Sequence, residues 1–304
     1  MLVDWHSHWL PPGLVEQLSR RTTPPRIQMT PDGLCLINGR RARLLFPAAV
    51  DLDHRRGVLS ELGIDRQVLS LSSLWNIDNL PADEALPLVR AFNDAVADAS
   101  RSSGGVFGGY AALPLSDPAL ACAELQRTGS LGLEGVIMPA AAFSSQSAAQ
   151  DFAPLLRIAN DLCWRVFVHP GTLSPTPPAP AQAVDNTWLR HIVLNAQQQL
   201  SEVMMTLCGT SLLDDYPRLT VHVANLGGSM PFLLERVRAV MRDDPDSGAE
   251  PRWTMERLTV DSASFGPQAI ALARRTMGTR SVVLGTDMPA FSAHHAVAAW
   301  SASS

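Results

Sequence analysis

The chain has 304 residues, of which 46% are hydrophobic and 17% charged, a composition that favours a large buried core and excludes a disordered chain. A net charge of −5, with the basic residues scattered along the chain, argues against nucleic acid or anionic lipid as a partner. No run of 18 apolar residues predicts a membrane span, and the N-terminal segment MLVDWHSHWLPPG lacks the basic and apolar regions of a secretory signal.

The four cysteines, Cys35, Cys122, Cys163 and Cys208, lie far apart and form no CxxC pair. This spacing is typical of buried, reduced thiols and not of a disulfide framework. We therefore expect a cytoplasmic protein.

Short apolar runs alternate with Ala- and Leu-rich helical segments along the whole chain. The strand candidates are Met1–Trp5, Gln67–Leu71, Phe107–Ala111, Gly135–Met138, Arg165–His169, Leu219–Ala224, Leu258–Asp261 and Ser281–Gly285. The helix candidates include Leu86–Ser100, Ala119–Thr128, Leu189–Cys208 and Pro267–Met277. Eight apolar strands that alternate with helices predict an α/β fold, a parallel sheet closed into a (β/α)₈ TIM barrel. We expect residues 1–304 to form one domain of this kind.

Two segments interrupt the alternation. An insertion of about residues 11–54, which contains prolines and arginines, follows the first strand, and a Pro-rich loop over residues 171–185 follows the fifth. Both begin at the carboxyl end of a strand, which is the face where barrels of this type carry their active sites. These segments are therefore expected to border the active site.

A pair of histidines, His6 and His8, stands at the end of the first strand, in the sequence DWHSH. Because side chains alternate along a strand, both imidazoles point to the same side and can reach one metal ion. Neutral imidazole binds Zn²⁺, Fe²⁺ and Mn²⁺. Structural histidines would give the same pattern, but the position at a strand end favours metal ligands.

Two further strands end in residues that can bind a metal, His169 in RVFVHPG and Asp287 in VVLGTDMP. Taken alone, His169 could be structural and Asp287 could cap a loop or helix. Together with the histidine pair they predict one divalent metal site, where Asp287 could also exchange a proton. The fourth strand candidate is followed by Pro139 and offers no lysine to bridge a second ion.

The order of these motifs, HxH, VHPG, GGxxP and GTDxP, resembles the amidohydrolase superfamily. More narrowly, it resembles the amidohydrolase-related group that contains aminocarboxymuconate-semialdehyde decarboxylase. The segments LSELGIDRQVLSLS, LLDDYPRLTVHVANLGGSMPFLLERV and VVLGTDMP resemble the blocks around the second, sixth and eighth strands, so the resemblance covers nearly the whole chain. It implies a barrel of the metal-dependent hydrolase type, which assembles as a homodimer. It also implies one divalent ion, with zinc expected and manganese or iron as alternatives, held by His6, His8, His169 and Asp287.

The segment NGRRAR, residues 38–43, resembles the decarboxylase's glycine-basic segment, where the position of Arg43 binds a substrate carboxylate. A guanidinium group pairs with a carboxylate through two parallel hydrogen bonds, which suits this role. Arg40 and Arg41 lie close enough to replace Arg43. A solvated basic loop without a ligand is the alternative.

The sequence departs from the family at Asn225, where the block THxGG would carry a histidine that acts as a general base. An amide cannot accept a proton in this way, although it could orient a substrate or a metal-bound water. His222 lies three residues earlier, on the opposite face by alternation. We therefore expect His222 to be structural, packed between strand and helix.

Three functions fit these residues. The first is nonoxidative decarboxylation of a small unsaturated or aromatic carboxylic acid, with Asp287 transferring a proton. The second is metal-dependent hydrolysis of an amide, ester, lactone or C–C bond on the same site. The third is a catalytically weak barrel that acts as a binding subunit; the intact set of ligands argues against it, and Asn225 argues for it. The resemblance favours the decarboxylase, with a small-molecule acid as its partner.

Overall fold

Eleven β-strands are present in a computed structural model that describes residues 1–38, 41–174, 189–243 and 255–303. They are β1 (Val3–His8), β2 (Arg26–Thr30), β3 (Gly33–Asn38), β4 (Arg41–Leu44), β5 (Arg66–Ser70), β6 (Phe107–Ala111), β7 (Gly135–Pro139), β8 (Arg165–His169), β9 (Thr220–Val223), β10 (Leu258–Asp261) and β11 (Val282–Val283). Eight of them form one parallel sheet in the order β1-β5-β6-β7-β8-β9-β10-β11. The remaining three, β2, β3 and β4, form a separate antiparallel sheet.

The eight-stranded sheet closes on itself. The backbone N–H of Trp5 donates to the carbonyl of Leu284 at 2.9 Å, and that of Asp287 donates to the carbonyl of His6 at 2.8 Å. A third bond of 2.7 Å runs from the N–H of His8 to the carbonyl of Met288. The last strand therefore lies beside the first, and the predicted (β/α)₈ barrel is confirmed.

Three strands, β6, β8 and β10, have the bounds that the sequence predicts. The first strand is longer than predicted, because it continues through His8, which pairs with Ser70 of β5. The polar sequence His-Ser-His ended the apolar pattern without ending the strand. As a result, both histidines are held by the sheet and not by a loop.

Helices surround the barrel on its outer side. They are α1 (Pro12–Ser19), α2 (Pro47–Val50), α3 (Leu52–Glu61), α4 (Ala82–Ser102), α5 (Pro118–Gly129), α6 (Gln146–Gln150), α7 (Ala153–Asp161), α8 (Ala196–Gly209), α9 (Met230–Asp243), α10 (Pro267–Met277) and α11 (Ala293–Ser301). The predicted helix Leu189–Cys208 is divided into a π-helical segment, Arg190–Asn195, and α8. Within the described residues, no helix has both the length and the apolarity needed to cross a membrane.

Helix α4 shows how these helices attach to the barrel. Leu88, Phe92 and Val96 are spaced by four residues, lie on one face and are almost fully buried. Burial of such side chains contributes about 1.5–3 kcal/mol each, so the apolar face decides which side of the helix meets the strands.

The insertion after the first strand contains the separate sheet of β2, β3 and β4. Its hairpin turns between Thr30 and Gly33, where Gly33 has a φ of 125° that favours glycine. At the other end of the sheet, the Nδ2 of Asn38 donates to the carbonyl of Leu74 at 2.7 Å. Leu74 follows the carboxyl end of β5, so the insertion is attached at the mouth of the barrel, as the sequence predicts. Only residues 171–174 of the Pro-rich loop are among the described residues.

The cysteines are free within the described residues, but the expectation that all four are buried is wrong. Cys163 is exposed and Cys122 is half-buried, whereas Cys35 and Cys208 are buried. Cys163 ends the turn before β8 with a φ of 55°, which places its side chain outside the packed layers.

Candidate metal centre

The four predicted metal ligands meet at the carboxyl ends of three strands. His6 and His8 lie on β1, His169 ends β8, and Asp287 follows β11. The Nε2 of His8 is 3.3 Å from the Nε2 of His6, 3.1 Å from the Nε2 of His169 and 3.2 Å from Oδ1 of Asp287. One ligand atom from each residue lies within 4.8 Å of every other, and all four residues are buried.

The second ring nitrogen of each histidine is already occupied. The Nδ1 of His8 lies 2.9 Å from Oγ of Ser70, and that hydroxyl donates its own proton to the carbonyl of Ser7. Ser70 can therefore only accept from His8, so the proton of neutral His8 is on Nδ1. The Nδ1 of His169 donates to the carbonyl of Pro170 at 2.9 Å, with the same consequence.

His6 completes this pattern, because its Nδ1 lies 3.0 Å from Oδ2 of Asp261, a buried carboxylate. In the neutral form of the three histidines, which binds a metal ion, every Nδ1 carries the proton, and three Nε2 lone pairs and Oδ1 of Asp287 point at one another in a buried space. Lone pairs so close together repel unless a cation lies between them. Three imidazoles and one carboxylate therefore fit a single divalent ion of the zinc or manganese class.

The electrostatics of the centre also favour one positive charge. Burial alone would lower the pKa of His6, but the carboxylates of Asp261 and Asp287 outweigh it and raise this pKa to about 9. Burial lowers the pKa of His8 and of His169, so these two imidazoles are neutral at neutral pH. The two carboxylates thus stabilise one positive charge, on His6. A metal ion bound among the ligands can supply that positive charge in its place.

Asp261, at the end of β10, is a residue of the site that the sequence analysis missed. Besides the bond from His6, its carboxylate accepts one from Nε2 of His222 at 2.8 Å and one from the backbone N–H of Asn225 at 3.1 Å. Burial alone would raise the pKa of Asp261, but His6 and His222 hold it well below its usual range. A Cβ atom at Gly285 would lie 2.8 Å from this side chain, so glycine leaves room for it.

The expectation that His222 packs between strand and helix is wrong. Its ring stacks on that of Phe167, with the centroids 4.6 Å apart, and Phe167 also contacts His6 at 4.9 Å. His222 is fully buried inside the barrel, beneath the ligands. Asn225 lies beyond the end of the strand with a φ of 51°, where side chains no longer alternate. The alternation rule therefore could not predict the position of the Asn225 side chain relative to that of His222.

Asn225 stands at the mouth of the barrel, where the family's histidine is expected. Its Nδ2 donates to the carbonyl of Ala263 at 3.1 Å and to Oγ of Ser264 at 3.0 Å. Both amide protons are therefore used, and the Oδ1 atom can only accept a hydrogen bond. The glycines after it form a tight turn against α8, since a Cβ at Gly228 would lie 2.3 Å from the carbonyl of Gln197.

Two of the three predicted carboxylate-binding arginines, Arg41 and Arg43, lie on β4 of the insertion. Arg43 is exposed on β4 and pairs with Leu36, so it shares a face of the small sheet with Leu36 and Asn38. Asn38 is the residue that contacts the mouth at Leu74, so Arg43 is on the face that meets the barrel. Arg41 pairs with Asn38 through the backbone. Arg40 lies outside the described residues.

Two further residues at the mouth had no signal in the sequence. The ring of Trp75 lies 5.9 Å from that of His8 in an edge-to-face arrangement, and Trp75 is buried. Asp78 follows in the same loop, with 8% of its surface exposed and no hydrogen-bond partner for its Oδ1. Burial raises the pKa of Asp78 to about 7, despite hydrogen bonds from backbone N–H groups.

Known proteins resemble this chain over most of its length. The gamma-resorcylate decarboxylase of Polaromonas sp. is 26% identical over 284 residues, which are 84% of this chain and 81% of that protein. The 2-amino-3-carboxymuconate-6-semialdehyde decarboxylase of Dictyostelium discoideum is 27% identical over 261 residues, covering 84% and 71% of the two chains.

The same fold occurs in a crystal structure of dihydroxybenzoic acid decarboxylase from Polaromonas sp., with bound manganese and the inhibitor 2-nitroresorcinol. Its TM-score is 0.73 at 20% identity, and the match covers 99% of this chain and 90% of that one. A family model described as amidohydrolase matches residues 3–302. The resemblance drawn from the HxH, VHPG, GGxxP and GTDxP motifs is thereby confirmed: this chain belongs to the amidohydrolase family.

Proposed function

We propose that this protein is a metal-dependent carbon–carbon lyase that removes CO₂, without oxidation, from a small aromatic or unsaturated carboxylic acid. The observation that carries the proposal is the convergence of three Nε2 atoms and Oδ1 of Asp287 at the mouth of the barrel. Family membership and the decarboxylase relatives support the choice of reaction.

His6, His8, His169 and Asp287 are proposed to hold one divalent ion. When bound, such an ion supplies a Lewis acid that polarises a substrate oxygen. The sequence alone favoured zinc, but a protein of the same fold contains manganese, so we propose Mn²⁺ and Zn²⁺ as equal candidates. The chain contains no lysine, so the carboxylated lysine that bridges two ions in other amidohydrolases cannot form.

The chain's own side chains have separate proposed roles. Oδ1 of Asp287 faces the imidazoles, which leaves Oδ2 as the atom proposed to take up a proton from solvent and to pass it to the substrate. The Oδ1 of Asn225 accepts a hydrogen bond from a substrate hydroxyl or amine. Trp75 forms an aromatic wall beside His8 for a flat substrate, and Arg43, with Arg40 and Arg41 as alternatives, pairs with a substrate carboxylate.

The reaction balances without an oxidant or reductant. A proton from Asp287 adds to the carbon that carries the carboxylate, and the bond from that carbon to the carboxylate then breaks. The electron pair of this bond returns to the ring or the unsaturated system, and CO₂ leaves. The side chain of Asp287 regains a proton from solvent.

The proposal also covers the oligomeric state of the protein and the compartment of the cell in which it acts. We propose a homodimer in the cytoplasm, because the family resemblance implies the dimer and the cysteine spacing favours a reducing compartment. A basic surface stripe is lacking in the sequence, so nucleic acid is not proposed as a partner.

The direct test is to load the protein with Mn²⁺ or Zn²⁺ and offer gamma-resorcylate, other hydroxybenzoates and 2-amino-3-carboxymuconate-6-semialdehyde. Release of CO₂ in equal amount to the decarboxylated product is expected with at least one acid. Asp287→Asn, saturated with metal, should give no CO₂, because an amide cannot hold the proton. Turnover confined to a parallel panel of esters, amides and lactones would replace the lyase by a hydrolase.

A further inference from the structure

Arg55 is the largest fully buried side chain in the described part of the molecule. It comes from α3, in the helical layer, and reaches into the strand layer. Its Nη2 donates to the carbonyl of His8 at 2.5 Å and also to the carbonyl of Ala48. Burial lowers the pKa of Arg55 to about 10, so the guanidinium is still charged at neutral pH.

The same guanidinium is linked to a buried carboxylate through an amide. Nη1 of Arg55 donates to Oε1 of Gln67 at 2.9 Å, and Nε2 of Gln67 donates to Oδ2 of Asp4 at 2.7 Å. Asp4 and Gln67 are both fully buried. The buried guanidinium of Arg55 and the buried carboxyl group of Asp4 are thus connected by the amide of Gln67, which accepts from the first and donates to the second.

Asp4 extends the connection to the strand that carries Asp287. Its carboxylate accepts bonds from Oγ1 of Thr286 at 2.6 Å and from the backbone N–H of Thr286 at 2.9 Å. Oγ1 of Thr286 in turn accepts from the backbone N–H of Met288 at 3.1 Å. The backbone N–H of His6 also donates to Asp4, at 3.2 Å.

We propose that Arg55, Gln67 and Asp4 are positioning residues that hold the two ends of the metal centre, β1 and the segment after β11, in register. The network touches the backbone of His6, the backbone of His8 and both neighbours of Asp287, yet none of these hydrogen bonds reaches an imidazole nitrogen of the three histidines. The inference rests on the proposed function, because it assumes that these ligands hold a metal ion.

The geometry requires arginine at position 55. Its guanidinium serves three acceptors at once, on His8, Ala48 and Gln67, in a planar fork. A lysine has one compact ammonium group and cannot reach all three in fixed directions. Arg55→Lys therefore keeps the buried charge but releases the carbonyl of His8 or the amide of Gln67.

The experiment measures the affinity of the metal-free, full-length protein for Mn²⁺ by competition with a fluorescent chelator. Arg55→Lys should raise the apparent Kd about 10–100-fold, the usual effect of losing a group that orients metal ligands. Gln67→Met breaks the link while keeping the length of the side chain, and it should raise the Kd at least about tenfold. This second variant decides the question if Arg55→Lys does not fold.

Arg127→Lys is the matched control, because Arg127 also donates several bonds within a network, to Glu124 and Asp94, but on the outer helices. It should change the melting temperature without changing the Kd for Mn²⁺. Unchanged affinity in both Arg55→Lys and Gln67→Met, at any melting temperature, would overturn the positioning role alone. Absence of Mn²⁺ and Zn²⁺ binding by the unsubstituted protein would instead overturn the proposed function.

Discussion

The Oδ2 atom of Asp261 lies 3.0 Å from Nδ1 of His6, and this contact determines which nitrogen of the imidazole carries the proton. Since a carboxylate can only accept, Nδ1 is the donor and Nε2 is left with its lone pair toward the centre. Metal-binding histidines generally have such a partner, which orients the ring and raises its basicity.

Asp261→Asn should weaken metal binding about 10–100-fold. The amide can present its NH₂ group to Nδ1 of His6, which moves the proton to Nε2 and blocks that ligand atom. The measurement is the apparent Kd for Mn²⁺ by chelator competition. Asp98→Asn, a change of the same kind on the exposed surface of α4, is the control and should bind Mn²⁺ as the unsubstituted protein does.

The protein purified without chelator should contain about one divalent ion per chain, because the described residues bring together one set of four ligands. Elemental analysis by inductively coupled plasma mass spectrometry provides the measurement. Removal of the ion by a chelator should abolish turnover, and its return should restore it. A content of two ions per chain would contradict the single-metal site.

Arg43→Ala should raise KM about 10–100-fold, because loss of a charge-assisted pair with a carboxylate costs about 1.5–3 kcal/mol. Arg43 is exposed, so the melting temperature should change little. Steady-state kinetics with the natural acid provide the measurement, and Arg20→Ala, at an exposed arginine directly after α1, is the control. If KM is unchanged, the role passes to Arg40 or Arg41, or the substrate is not held by its carboxylate.

Asn225→His should lower kcat. The two bonds from Nδ2 of Asn225, to Ala263 and Ser264, cannot both be made by an imidazole, and the accepting Oδ1 atom is lost. Metal content and melting temperature, measured beside kcat, separate this effect from misfolding. A clear gain in decarboxylase activity would mean that Asn225 is a lost general base and not a residue recruited for this substrate.

Asp78→Asn should stabilise the protein above pH 7 and have little effect near pH 4. Burial raises the pKa of Asp78 to about 7, whereas the unfolded chain titrates at 3.8. Between these values the folded protein binds a proton that the unfolded chain has lost, so stability falls as pH rises through this window. The gain for the variant should be of order 1–4 kcal/mol at pH 8, measured by urea unfolding at pH 4, 6 and 8. An equal gain at all three pH values would contradict the assignment.

The sequence predicted the metal ligands because each lies at the end of an apolar strand. At that position, the alternation of side chains along the strand and a proline that ends the strand indicate where the side chain points. Asp261 carries the same signal in Leu258–Asp261 and could have been found by the same rule. Arg55 could not, since nothing in the sequence distinguishes it from its exposed neighbour Arg56. Its role depends on contacts with residues of β1 and β5, which only the closed barrel brings together.

For the insertion of about residues 11–54 the sequence predicted no strands, although the turn Thr30-Pro31-Asp32-Gly33 is typical of a hairpin. Strands β2 (RIQMT) and β4 (RARL) also alternate polar and apolar residues, so the period-two pattern of a strand was present in the sequence. What the sequence does not contain is the attachment of this sheet to the barrel, through the contact of Asn38 with Leu74.

Phe167 has a consequence for how molecules reach and leave the centre. Together with Tyr110, whose ring lies 5.4 Å away, and with the stacked His222, it fills the barrel axis below the ligands. The acid must then enter by the mouth, and CO₂ and the product must return the same way. For the proposed lyase, passage through one opening means that the product competes directly with the next substrate molecule. It also means that CO₂ at high concentration reaches the product while the product is still bound.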